Sequence, residues 1–196
     1  MQKARSYTKQ ARAASEDGTR TALLDAGERL FFERGWEATS LEAVAGEAGV
    51  TKQTLLRHFG SKTGLLEQAF ARAFEHIRDQ RWDVPGDDVE RAVDNLLDHY
   101  EAVGDRALKI DAMAGVPAVA EWVQRARELH YEWVAHAFGA FLRPLRGRDL
   151  ERRRAGLIAV CDVHAWRLLR HQLGLGRAEV RATLVLAVRG LLDVDR

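Results

Sequence analysis

Gly49 to Lys62 reads GVTKQTLLRHFGSK, and the fold turns on these fourteen residues. Thr51 follows a Gly-Val pair and can cap a helix, because its side-chain oxygen can accept from a backbone N–H of the first turn. In that helix Leu55 and Phe59 recur at helical spacing, while Lys52, Gln53, Thr54, Arg57 and His58 make the rest polar. Ser61 supplies a second cap and opens the next helix. A short helix capped at both ends and polar on one side is held in fixed register to present that side to something.

Upstream, Thr39-Ser40-Leu41-Glu42 has capping-box spacing from Thr39 to Glu42, and Leu41, Val44, Ala45 and Ala48 mark an apolar face. Between the two helices lies Glu47-Ala48-Gly49-Val50. Gly49 permits the positive φ of a tight reversal, Ala45 lets the helices approach, and Val50 fills the angle. This is a helix-turn-helix, whose second helix can enter a major groove with Thr51, Lys52 and Gln53 as base readers. Gln53 can pair twice with an adenine edge, Lys52 can reach guanine O6 and N7, and Thr54 can touch base or backbone.

A first helix is expected from Thr19, with Leu23, Ala26, Leu30 and Phe31 on one face and Gly35 at its end. A fourth follows Ser61 and carries Leu65, Leu66, Ala69, Ala73 and Ile77. Residues 1–18 show no apolar periodicity, and Lys3, Arg5, Lys9 and Arg12 outnumber Glu16 and Asp17. They are expected to form a flexible basic arm.

The whole chain reads as all-α. It has three prolines and no alternating β-branched run. Asp83-Val84-Pro85-Gly86-Asp87-Asp88 marks the clearest boundary. The expected organisation is the arm (1–18), a DNA-binding domain with its linking helix (19–82), and a ligand-binding and dimerisation domain (83–196). Helices are expected in the last part over about 87–103, 105–114, 117–142, 149–173 and 177–193. Thirty basic against 29 acidic side chains leave a charge of +1, so bulk charge is silent on a nucleic-acid partner. The single Cys161 forms no intramolecular disulfide, and no apolar leader or run of about 20 apolar residues occurs. A cytoplasmic location without membrane contact is expected.

Residues 117–142 carry an indole-rich stripe, Val119, Trp122, Val123, Ala126, Leu129, His130, Trp133 and Ala137. Simple core packing accounts for it equally well; an apolar pocket with a few polar groups is the functional alternative. Trp122, His130 and Trp133 would line such a pocket, with Met113 and either His99 or Tyr100 completing it. Leu157, Ile158, Cys161, Ala165, Leu168 and Leu169, with Val180, Leu184, Ala187, Val188, Leu191 and Leu192, form apolar faces wider than one core contact needs. Paired across a two-fold axis they would make a four-helix bundle, with Leu157, Ala165, Leu168, Leu184, Val188 and Leu191 at the interface.

Other chemistries are weaker. His130, His136, His164 and His171 lack zinc-ligand spacing, so no metal or other cofactor is expected. Cys161 and His164 share a helical face, but no oxyanion hole accompanies them, and a small buried thiol is the better reading. No catalytic residue is assigned.

Ala38-Thr39-Ser40-Leu41, Val44-Ala45, Ala48-Gly49-Val50-Thr51, Thr54-Leu55-Leu56-Arg57-His58-Phe59, Ser61-Lys62 and Leu65-Leu66 together resemble the TetR family of transcriptional regulators. The match covers residues 19 to about 70. The resemblance implies a homodimer on a palindromic double-stranded DNA operator, released by a small-molecule effector bound in the C-terminal domain, and a repressor more than an activator. It assigns Thr39 or Ser40, His58 and Lys62 to phosphates, and Lys52 and Gln53 to bases. Leu56 departs from the tyrosine usual at that place, which removes a phosphate-binding hydroxyl and leaves apolar contact to a sugar or thymine methyl. The alternative reading is a helical small-molecule-binding or catalytic protein with a vestigial helix-turn-helix.

Overall fold

The structure, a computed structural model, describes residues 2–192, with side chains from Ala14 onward. Arg5, Lys9 and Arg12, expected on the basic arm, lie outside the residues whose side chains are described. Among the described residues every regular element is helical: α1 (Gln2–Ala38), α2 (Leu41–Glu47), α3 (Lys52–Phe59), α4 (Lys62–Trp82), α5 (Val89–Asp111), α6 (Pro117–Ala137), α7 (Gly139–Leu142), α8 (Gly147–Val160), α9 (Val163–Arg167), a π-helical turn (Leu168–Gln172) and α10 (Arg177–Leu192).

The chain divides into two compact units, Met1–Ala73 and Phe74–Arg196. The division falls inside α4, ahead of the boundary expected at 82. The last turn of α4 belongs to the second unit because its backbone is engaged there: Trp133 Nε1 donates to the Arg81 carbonyl at 3.0 Å, and Asn95 Nδ2 to the Gln80 carbonyl at 2.8 Å.

In the first unit, Ala14 to Gly18 are helical rather than part of an irregular arm. Ala14 and Glu16 are good helix formers, and the segment is carried as part of α1 without an apolar stripe of its own. Gly35 breaks α1 with φ 82°. Ser40, not Thr39, caps α2, its Oγ accepting from Ala43 N at 3.1 Å. The turn after α2 places Gly49 at φ 70°, and Val50 N donates to the Ala45 carbonyl at 2.9 Å. Leu23, Leu30, Phe31, Val44, Leu55 and Leu65 close the core.

The second unit corrects three expectations. Helix α5 runs through Gly104 without a break, because Trp166 packs over that residue: a Cβ there would meet the indole at 2.6 Å. Met113 consequently sits in the turn after α5, not on a helix. The expected helix 149–173 is interrupted at Cys161 and Asp162, and the carboxylate of Asp162 caps α9 by accepting from His164 N at 2.8 Å. Carbonyls near the C-terminus of α8 lack helical partners and are taken by side chains, Cys161 O by the Tyr100 hydroxyl at 2.9 Å and Ile158 O by His130 Nε2 at 3.0 Å.

The expected dimer face is largely internal. Leu157, Leu184 and Val188 are buried in the unit's own core, beside Val93, Leu96 and Leu97. Ala165 and Leu191 are half-buried, and Leu168 is exposed. The core of a single subunit consumes the stripe that the sequence offered to a partner. What α8 and α10 leave outside is a second, narrower apolar row: Ala155 and Ala159 on one, Ala182, Leu186 and Gly190 on the other.

Candidate functional site

Helix α3 is fixed before it presents anything. Thr51 caps it, its Oγ1 accepting from Thr54 N at 3.2 Å, and the two hydroxyls lie 3.0 Å apart. Leu55 and Phe59 are buried beneath it. At its end Gly60 takes φ 72°, and the Ser61 hydroxyl accepts from Gly64 N at 2.9 Å to start α4. Gly64 is required there, since a Cβ would stand 2.2 Å from the Phe59 carbonyl oxygen. The helix thus has no freedom to slide along its axis.

Thr51, Lys52, Gln53 and Arg57 are exposed, and Thr54 and Leu56 half-exposed. Lys52 is not idle: its ammonium pairs with Glu42 of α2 at 2.7 Å, which holds the Glu42 carboxyl below its usual range. An exposed pair of this kind is cheap to give up to a phosphate or guanine. Ser40 is exposed while acting as cap. Arg29, with carboxylates of Glu33 at 2.7 Å and Glu47 at 2.6 Å, braces α1 against α2.

Three sequence assignments meet different surroundings. Thr39 is 1% exposed, and its hydroxyl donates toward the Leu30 carbonyl at 3.0 Å and the Gly35 carbonyl at 2.8 Å. It closes the break at Gly35 and does not face outward for phosphate. Lys62 is half-buried; its ammonium donates to the Trp36 carbonyl and lies 4.3 Å from the centre of the Trp36 ring. Partial burial lowers its pKa from the ordinary lysine value. His58 turns Nε2 inward, where it is buried and has no hydrogen-bond partner.

In the second unit the structure gathers His99, His130 and Trp133 but adds a residue that sequence reading missed. Arg81, at the end of α4, is 3% exposed, with its guanidinium 4.3 Å from the Trp133 ring centre and 5.9 Å from that of Tyr100. Its position, four residues after Ile77 on the apolar stripe of α4, was the available signal. Burial, and next the nearby Arg81 charge, press His99 down to about 3, and burial lowers His130 as well. Trp122 stands elsewhere, 5.5 Å from the Phe74 ring and under Arg125 at 5.4 Å. Met113 is half-exposed in its turn. Among the described residues no cluster of three or more His, Cys, Asp or Glu has metal-site geometry. Burial also pushes the Cys161 thiol up to about 12, which leaves it unreactive as a nucleophile.

A family model for bacterial regulatory proteins of the tetR family matches residues 23–69, spanning α2, α3 and their flanking helices. The HTH-type transcriptional regulator Mb3439c of Mycobacterium bovis is 32% identical over 184 residues, covering 88% of each chain. The chain belongs to the TetR family. Escherichia coli UidR, an HTH-type transcriptional regulator, is 31% identical to this TetR-family chain over 105 residues, 49% of this chain and 50% of UidR. The chain therefore spans about half the length of the first curated relatives it matches. In three dimensions a tetR-family transcriptional regulator from Streptomyces coelicolor superposes with a TM-score of 0.69 at 21% identity, covering 91% of this chain and 82% of that one. That likeness speaks to the fold: an N-terminal helix-turn-helix unit followed by a helical C-terminal unit. Among the described residues no helix is long and apolar enough to cross a membrane.

Proposed function

We propose that this TetR-family regulator is a ligand-responsive repressor that binds a palindromic operator as a homodimer. The observation that carries the reading is α3, clamped by Thr51 and Ser61 and offering Thr51, Lys52, Gln53 and Arg57 outward while Leu55 and Phe59 anchor it. Base readers need this combination of fixed register and exposed polar edge. Gln53 reads an adenine, Lys52 leaves Glu42 for a guanine, and Ser40, Lys62 and His58 line the phosphates. Thr39 drops from the contact set because its hydroxyl is spent.

One subunit reads one half-site, so the reading requires a two-fold partner. The outer row of α8 and α10, centred on Leu186 at 56% exposure, is the surface that fits, since its small residues let two helix pairs approach closely. Effector binding in the second unit acts through α4, which carries Lys62 at its start and Arg81 at its end. The effector must bind the released conformation more tightly than the operator-competent one.

Gel-shift of the DNA flanking the chain's own coding sequence tests the reading. Binding that falls steeply with salt and saturates at two subunits per site is expected. Absence of any sequence-preferred complex at low salt would overturn it.

A further inference from the structure

Arg81 is the one arginine among the described residues with two buried guanidinium nitrogens that no hydrogen bond reaches. Its Nε and Nη2 are both buried and have no hydrogen-bond partner. Among the described residues no carboxylate pairs with it. Other arginines in the same unit are paired: Arg170 with Glu101 and Arg181 with Asp94 and Glu90. Asp162, the acid whose field reaches this cluster, is committed to capping α9.

The neighbours stabilise the cation only from its faces. Trp133 and Tyr100 present ring planes, which attract the charge and accept nothing from the in-plane N–H groups. Their own polar atoms are occupied, the indole N–H by the Arg81 carbonyl and the phenol by the Cys161 carbonyl. His99 and His130 are kept neutral by burial and add no negative charge. A buried cation without counter-charge is among the most costly arrangements a core can hold. A core built for stability alone would place methionine or leucine here.

We propose that Arg81 is the anchor of an effector site for an organic carboxylate, taken in bidentate fashion by Nε and Nη2, with the apolar part of the ligand against Trp133 and Tyr100. The parallel N–H pair of a guanidinium matches the two oxygens of a carboxylate, and the flanking rings suit an aromatic or aliphatic body. A neutral ligand would leave the charge as it is. The assignment rests on the reading of the second unit as the effector-binding part and supplies the chemical class of the effector.

The test uses the full chain and two matched pairs of probes, naphthalene-2-carboxylate against 2-naphthylmethanol and decanoate against decan-1-ol. Tryptophan fluorescence and thermal melting report binding. On the unmodified chain at least one acid should bind about 10- to 100-fold more tightly than its alcohol, the range that hydrogen bonds to a charged group supply. Arg81→Met should lose that preference and, without ligand, melt no lower than the unmodified chain, because the Trp133 bond is to the backbone of residue 81 and survives. Equal binding of acid and alcohol, no binding of either acid at millimolar concentration, or an acid preference retained in Arg81→Met would each overturn the proposal. Equal protection by sodium acetate would also overturn it, since any small anion would then suffice. Should Arg81→Met fail to fold, the acid–alcohol comparison on the unmodified chain still decides. Gel-shift separates this from the regulator reading: acid binding at Arg81 without effect on DNA overturns effector control alone, and release by a neutral ligand overturns the carboxylate alone.

Discussion

The Lys62 ammonium sits over the Trp36 ring, 4.3 Å from its centre, and donates to the Trp36 carbonyl, so one lysine ties the start of α4 to the chain just past the Gly35 break. A residue expected to serve phosphate therefore also holds the unit together. Both roles are compatible, since an ammonium has three donors and the carbonyl uses one.

Lys62→Met should accordingly do two things. It should lower the stability of the DNA-binding unit by about 1 kcal/mol, the scale of a cation–π contact, and reduce the salt slope of operator binding by about one unit. Chemical denaturation and a salt titration of binding measure the two separately. A lower slope with unchanged stability would show that the Trp36 contact contributes nothing.

Gln53→Ala should cost about 1–3 kcal/mol on the cognate operator and relax preference at a single base position, because a bidentate contact is lost from an exposed side chain that supports no packing. Selection of binding sites from a random pool checks it. The same preference recovered with the variant would remove Gln53 from the readers.

Leu186→Glu and Leu184→Glu should behave differently although they stand two residues apart. Leu186 is exposed, so its replacement should give a folded monomer without specific DNA binding. Leu184 is 2% exposed in the core, so a glutamate there should unfold the second unit, at a cost of several kcal/mol for a buried unpaired charge. Sedimentation and circular dichroism distinguish the two. A dimeric Leu186→Glu variant would place the interface elsewhere.

His99 predicts an acid limb to stability. Burial first, and then the Arg81 charge, hold its folded pKa near about 3 against 6.5 for an unperturbed histidine. A depressed folded value means the unfolded chain takes up the proton first, so the contribution is intact above about pH 6.5 and falls as pH drops toward the folded value. By pH 5 the loss should be about 2 kcal/mol, and His99→Gln should flatten the curve between pH 7 and pH 5. Urea titrations at the two pH values are the measurement. An identical pH dependence in the variant would mean His99 is protonated in the folded chain.

The sequence alone determined the local and periodic features. Leu55 and Phe59 beneath a polar α3, the caps at Thr51 and Ser61, and the reversal at Gly49 all depend on residues within a few positions of one another, where spacing and backbone preference decide. The helical class followed from the same periodicity. Only the tertiary structure decided what each side chain spends its polar groups and its apolar area on. Thr39 has the chemistry to bind phosphate, but the break at Gly35 brings two carbonyls to its hydroxyl. The wide apolar face of α8 and α10 is used up by α5 and α6 of the same subunit, so Leu157, Leu184 and Val188 are core and Leu186 remains outside. Arg81 falls on the apolar stripe of α4, but only Tyr100 of α5 and Trp133 of α6, closing over its guanidinium, decide that the charge is buried. Burial and partnership depend on residues far apart in the chain, and periodicity within one helix carries no information about which neighbour will arrive.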